Sequence, residues 1–198
     1  MTFTLRPATA ADAEAVRDIY APVVRETAIS FETEPPDSEE MAARIERKRA
    51  RFPWLVCTRE GTVVGYAYAS PYRERAAYRW SVEVSVYVHA DWRRHGVARG
   101  LYTSLLAALE LLGYANAYAV IALPNPESVG FHESVGFEHV GTHHGVGYKH
   151  DAWHDVGHWE LSVQSHGTDP PEPTPAATRR GSDAYRTAVA AGESGLGE

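Results

Sequence analysis

The spacing of apolar residues changes along the chain, and each change predicts an element. Residues 2–8, TFTLRPA, alternate with the two-residue period of a strand. Thr9 follows as a helix N-cap with Asp12 in the next turn, and Ala13, Val16, Ile19 and Tyr20 then recur at helical spacing. SFETEPPDSEE reads as a loop ending in Ser38 as the next N-cap. EEMAARIERKRARF reads as a charged helix whose charges form a solvated face. WLVCTREGTVVGYAYASPY predicts a hairpin turning at Glu60-Gly61. RWSVEVSVYVH is a long strand with unlike faces. Trp80, Val82, Val84, Val86 and Val88 form one row; Arg79, Ser81, Glu83, Ser85 and Tyr87 form the other. From Gly96 to Leu112 the period is helical again, through Val97, Leu101, Leu105, Ala108 and Leu112, and Gly113 is a natural stop. YANAYAVIAL predicts a strand, PNPESVGFHESVGF a short helix capped by Asn125 with Pro126 at its first position, and the stretches near 137–148 and 155–163 two last strands.

The order strand, two helices, three strands, helix, strand, helix, two strands is an α+β or mixed α/β layout around one sheet. From His166 onward Pro, Gly, Ser, Thr and Ala dominate and large apolar residues are few. A domain at 1–164 followed by a mostly disordered tail at 165–198 is therefore expected. The 198 residues suit one core. No apolar run is long enough to span a bilayer, and the first residues lack signal-peptide design. The lone cysteine, Cys57, lies in the apolar run WLVCT and reads as core filler in a reducing, cytoplasmic setting. A net charge of −7 argues against a nucleic-acid partner but leaves room for a small anion held by a local basic cluster.

RRHGVA, residues 93–98, is such a cluster. A helix N-terminus offers free N–H groups and positive potential, a glycine lets a ligand approach, and arginines add charge-assisted bonds to phosphate. The stretch reads either as a diphosphate cradle or as an exposed basic loop. It is neither a Walker loop nor a dinucleotide fingerprint.

RRHGVA also matches the R/Q-x-x-G-x-G/A signature of the GNAT acetyltransferase superfamily. Together with RPATAADAEAVRDIY, ISFETEP, FPWLV, AYRWSVEVSVYV, AVIALPNPESVGFHESVGF and GYKHDAWHDVGHWEL, the chain resembles the phosphinothricin N-acetyltransferase branch from Thr4 to Leu161. The resemblance implies a single GNAT-like domain, with a central, mostly antiparallel sheet of about seven strands flanked by helices and a flexible C-terminal tail. It implies acetyl-CoA as acetyl donor. The backbone of Val86, Tyr87 and Val88 would pair with the pantetheine arm, Arg93, Arg94, His95, Gly96, Val97 and Ala98 would wrap the diphosphate, and Asn125 would stand near the thiol end. As a residue alone, Asn125 is equally a plain helix cap.

A carboxylate in partly apolar surroundings titrates high and suits a general base, yet Glu83 shares its row with Arg79, Ser81 and Ser85, and the solvent face of a half-exposed strand is the commoner place for a glutamate. The resemblance implies the base, acting directly or through water, with His132 assisting proton transfer or polarising the thioester carbonyl. It also implies that Phe31, Arg73, Arg75, Tyr78, Ser85 and Val156 line the acceptor pocket, with arginines suited to a substrate carboxylate or other anionic group, although by chemistry alone Arg73, Arg75 and Tyr78 read as surface residues of a loop. Arg73 stands where near relatives are expected to carry lysine, which keeps the charge and alters its reach. His150, His154 and His158 are spaced by four, but the alternation around Gly157 favours a strand, so no metal site is expected. The expected partners are a small amino acid-like substrate and a second copy of the chain, with neither nucleic acid nor membrane. Other readings are a peptide or protein amine acetyltransferase and a non-catalytic acyl-CoA-binding domain.

Overall fold

A computed structural model describes residues 3–196. Its strands are β1 Phe3–Pro7, β2 Trp54–Arg59, β3 Thr62–Pro71, β4 Ser81–Val88, β5 Asn116–Leu123, β6 Glu138–Lys149 and β7 Ala152–Ser162. Its helices are α1 Ala13–Glu26, α2 Ser38–Arg49, α3 Val97–Leu112, α4 Pro126–Ser134, α5 Ala176–Arg179 and α6 Asp183–Ala190. The strands form one seven-stranded sheet in the order β1-β2-β3-β4-β5-β7-β6. Every pairing is antiparallel except β4 with β5. The α+β architecture read from the pattern is thus the one observed. Among the described residues, no helix is long and apolar enough to cross a membrane.

Helix boundaries follow local chemistry. The expected cap of α2 was Ser38, but Asp37 holds that role. Its extended backbone lets the carboxylate accept from Glu40 N at 2.8 Å, which makes Ser38 the first helical residue. Asn125 Oδ1 caps α4 by accepting from Ser128 N at 3.1 Å. At the N-terminal end, Arg6 reaches Asp12 with two nitrogens, Nη2 to Oδ1 at 2.6 Å and Nη1 to Oδ2 at 2.8 Å, and Thr9 N adds a bond to the same carboxylate at 2.8 Å. These bonds fasten β1 to the entry of α1.

The two rows of β4 sort the core. Val82 and Val84 join Leu101, Leu105, Leu109 and Leu112 of α3 on one face of the sheet. Tyr87 packs on the other face, where Trp54, Val56 and Tyr66 meet Val16, Tyr20 and Val24 of α1 and Met41 and Ile45 of α2. Cys57 is fully buried, as expected of core filler, and its thiol is pushed up to about 12 by that burial.

The stretch from 165 differs from the disordered tail expected of it. It runs back along the domain, with Trp80 Nε1 donating to Pro171 O at 2.8 Å, Thr174 N to Leu112 O at 2.8 Å and Ala176 N to Arg51 O at 2.9 Å. Helix α6 then lies against α3, burying Tyr185 and Val189, while Ala176 of α5 is also buried. The physical reason is spacing: Tyr185 and Val189 are four apart on a helix capped by Ser182, and a low average hydrophobicity conceals that pair.

Burial alone would raise the Asp12 carboxyl, but the bonds from Arg6 and Thr9 hold it below its ordinary value. A depressed folded value contributes stability above the unfolded one, near 3.9, and that contribution is lost as pH falls through the folded value. Asp12→Ala is therefore expected to lower unfolding free energy by about 2 kcal/mol at neutral pH. In urea titrations the gap should narrow as pH falls below the ordinary carboxylate range. An equal gap at neutral and at acid pH would contradict the ion-pair account.

Candidate functional site

The parallel ladder between β4 and β5 is short. It pairs Ser81 with Asn116, Val82 with Ala117 and Glu83 with Tyr118, and then stops. Both strands continue, β4 to Val88 against β3 and β5 to Leu123 against β7. Held by their outer neighbours, they leave their facing edges without a ladder partner. Buried backbone polar groups require partners, so such an edge is suited to receive a ligand that hydrogen-bonds as a strand would. Val86, Tyr87, Ala119, Ile121, Asn125 and His132 line the resulting cleft.

On the α3 side of the sheet, Gly96 is the N-cap of α3 with φ of 76°, a left-handed conformation that favours glycine. Arg93, Arg94 and His95 before it are exposed, and among the described residues neither arginine forms an ion pair. His95 Nδ1 lies 2.9 Å from Arg93 O. Val97 is buried, Ala98 is half-buried, and the first turn of α3 holds no acidic residue. The turn thus combines open N–H groups, two uncommitted guanidinium groups and no opposing carboxylate, a donor set that fits a diphosphate.

His132 reaches the same cleft from α4. It is 5% exposed, so its partners define its state. Its Nδ1 lies 2.7 Å from Ser128 O, an atom that only accepts, so Nδ1 carries the proton. Nε2 is then free to accept from the Tyr102 hydroxyl, 2.9 Å away. Burial lowers the imidazole's affinity for a second proton, although the Ser128 bond opposes that shift. Tyr102, buried on α3, has its hydroxyl raised by desolvation. Sequence reading passed over this tyrosine. The only sign of it was its place beside the buried stripe, three residues before Leu105.

Glu83, Ser85 and Tyr87 stand on the opposite face. Cross-strand register places Glu83 between Ser70 and Tyr118, and Ser85 beside Tyr68. Glu83 is half-buried, neither freely solvent-facing nor enclosed: desolvation raises its carboxyl, while the charges of Lys48 and Arg73 pull it down. Lys48 departs from the solvated face expected of α2. It follows Met41 and Ile45 on the buried stripe, and its Nζ sits 4.2 Å from the centroid of Tyr68. Its ammonium is pushed down to about 8 by desolvation, with Glu83 as the largest opposing influence.

The turn before β4 carries Arg73, Arg75 and Tyr78, all exposed. Arg73 lies 4.6 Å from the Tyr72 ring, which stacks on Tyr118 at 4.2 Å and meets Tyr78 edge-on at 5.8 Å. This stack draws Arg73 and Tyr78 toward the Glu83 face, whereas, among the described residues, Arg75 is not one of the charges that act on Glu83. Phe31 lies on Gly147, where a side chain would collide with its ring, and 6.2 Å from His154. Val156 shares that face of β7 with His154 and is buried. Lys149, a further residue the sequence did not single out, holds this loop in place. Its buried Nζ donates to Val24 O and Ser30 O, both at 2.6 Å. His154 and His158 lie on β7 and His150 in the turn before it, so their spacing of four has no helical meaning. Among the described residues no group of His, Cys, Asp and Glu could hold a metal ion.

A model of the acetyltransferase (GNAT) domain family matches residues 5–158. A phosphinothricin N-acetyltransferase of Streptomyces viridochromogenes is 43% identical over 175 residues, covering 88% of this chain and 94% of that protein. An L-methionine sulfoximine/L-methionine sulfone acetyltransferase of Salmonella typhimurium is 32% identical over 164 residues, covering 82% and 96%. Among solved structures, a GNAT superfamily phosphinothricin acetyltransferase from Sinorhizobium meliloti in complex with AcCoA superposes with a TM-score of 0.83 at 36% identity, covering 89% of this chain and 97% of that one. With its interrupted β4–β5 ladder and glycine-capped α3, this chain belongs to the GNAT acetyltransferase family, in its phosphinothricin N-acetyltransferase branch.

Proposed function

We propose that this protein transfers acetyl from acetyl-CoA to the α-amine of a small amino acid analogue of the phosphinothricin, methionine sulfoximine or methionine sulfone type, with Glu83 as general base. The observation that carries the proposal is the gap beyond Glu83 and Tyr118, with a desolvated carboxylate on one face and an anion-ready helix start on the other. Relatives named for these acceptors support the substrate class, and the AcCoA complex of a structural neighbour supports the donor.

In this reading the backbone of Val86, Tyr87 and Val88 receives the pantetheine arm. Arg93, Arg94, His95 and the amides of Gly96, Val97 and Ala98 hold the diphosphate. Asn125, already committed to its cap, stands beside the thioester. The acceptor enters on the Glu83 face, with Phe31, Tyr78, Ser85 and Val156 shaping its pocket and Arg73 and Arg75 answering its anionic groups. Glu83 takes a proton from the substrate ammonium, directly or through water, and frees the nitrogen lone pair. Nitrogen attacks the thioester carbonyl and the C–N bond forms. As the C–S bond breaks, the thiolate leaves and takes up a proton, and the amide nitrogen gives up its second. The Tyr102 hydroxyl donates to His132 Nε2 at 2.9 Å before the donor binds, and would have to turn from His132 to donate to the departing sulfur or the developing oxyanion.

The pinning of the Phe31 loop by Lys149 favours a small acceptor over a peptide groove. A second copy of this chain is proposed as the partner for the exposed apolar row of the β6–β7 hairpin, where Tyr148 and Trp153 are 58% and 67% exposed. Trp153→Glu is expected to move the protein toward monomer in sedimentation, and an unchanged sedimentation coefficient would remove this surface from consideration.

Release of free CoA thiol should be strongest with one of the three analogues, compared with common L-amino acids and a short peptide. Turnover on the peptide alone would reject the acceptor class. Glu83→Gln is expected to lower kcat by about 10²- to 10⁴-fold, with acetyl-CoA affinity nearly unchanged; full turnover would exclude Glu83 as base. Because the base must be ionised, kcat/KM should fall as pH drops through the raised Glu83 value. Lys48 holds that value down, so Lys48→Met should carry the acidic limb to higher pH, and a limb that stays in place would contradict the coupling.

A further inference from the structure

The C-terminal stretch lies beyond the 5–158 match of the family model, and the chemistry above does not use it. Yet it ends on the diphosphate turn. After α6, residues 191–196 pass along the first turns of α3. Gly192 N donates to the hydroxyl of Ser104, a fully buried side chain, at 3.0 Å. Glu193 Oε1 accepts from Leu5 N at 2.7 Å, which turns that carboxylate toward β1 and away from RRHG.

Two glycine pairs set how closely the segments approach. Gly192 has φ of −88° and ψ of −2°, a conformation any residue adopts, so its backbone does not demand glycine. Space does: a Cβ there would run into the Gly100 carbonyl. Conversely, a Cβ on Gly100 would come within 2.9 Å of Gly192 O and the Leu196 side chain. At the helix start itself, a Cβ on Gly96 would meet Gly195 O at 2.8 Å. The segment is thus fitted to the residue that caps α3 and to the turn behind it. Upstream it also grips Trp80 through Pro171, Arg79 through Glu172, and the C-terminal end of α2 through Arg180 and Ala176.

We propose that residues 165–196 are a positioning brace for the donor site: the 192–196 turn fixes Gly96 and the first turns of α3 in the conformation that binds the diphosphate of acetyl-CoA. This rests on the reading that residues 93–98 hold that diphosphate. Two events that favour one conformation of one turn are linked and must favour each other by the same factor. Docking of the segment therefore tightens acetyl-CoA, and acetyl-CoA tightens docking.

The test uses the full chain, Gly192→Ala, a chain ending at Ala191, and Arg94→Ala, each assayed for acetyl-CoA dissociation constant, steady-state kinetics and melting temperature. Gly192→Ala and the shortened chain are expected to weaken acetyl-CoA about 10-fold, with acceptor KM and kcat little changed. Saturating acetyl-CoA should slow tryptic cleavage of the full chain at the exposed Arg186 by a similar factor. Unchanged acetyl-CoA affinity in both tail variants, whether or not their melting temperatures fall, would overturn the brace and leave the segment a structural cap. If Arg94→Ala weakens binding while the tail variants do not, the brace alone fails; if Arg94→Ala also binds normally, the diphosphate reading fails with it. Should the shortened chain not fold, Gly192→Ala and the cleavage rates still decide.

Discussion

Beyond Glu83 and Tyr118 the backbones of β4 and β5 no longer satisfy each other, and most of what distinguishes this molecule follows from that interruption. A seven-stranded sheet with a complete ladder would bury its centre against helices on both faces and leave no passage through it. Here the outer pairings, β3 with β4 and β5 with β7, are retained over long registers, so the sheet stays rigid while its middle opens. The opening needs a guest with alternating donors and acceptors. It also joins the two faces: Tyr102 and His132 from the α3 side and Ser85 and Tyr87 from the α1–α2 side line the same cleft.

The charge distribution fits that division. The chain is acidic overall, yet uncommitted arginines gather before Gly96, at the start of α3. On the other face a half-buried carboxylate lies between Ser70 and Tyr118, with Lys48 and Arg73 close enough to limit how far its proton affinity rises. That balance suits a base: desolvation makes Glu83 a better proton acceptor, and the neighbouring cations limit that rise. His132 and Tyr102 sit apart from it, buried and bonded to each other on the α3 side. One sheet thereby holds an acceptor group and a hydrogen-bonding pair in environments of opposite character.

Where period and punctuation act locally, the sequence was readable. The helix between Gly96 and Gly113, the Glu60-Gly61 turn, the Asn125 cap and the two rows of β4 all rest on residues within a few positions of one another. What escaped depends on distant contacts. The end of the β4–β5 ladder is set by strands on either side and leaves no mark in SVEVSVYV itself. Lys48 looked solvated because its helix is highly charged, and only Tyr68, twenty residues on, shows that it lies inward. The tail looked disordered because average composition hides Tyr185 and Val189, and because the glycines that let it dock, Gly100 and Gly192, belong to separate segments. Within the site, Glu83 and Ser85 could be assigned to one face by alternation, but the desolvation of Glu83 comes from packing that no local pattern encodes.

The most direct measurement is amide hydrogen exchange along β4 with and without acetyl-CoA. If the open edge of β4 receives the donor as a strand would, exchange at residues 86–88 slows on binding, while the paired segment 81–83 changes little. Saturating acetyl-CoA that leaves 86–88 exchanging as before would contradict the account, because the gap in the ladder would then serve some other purpose.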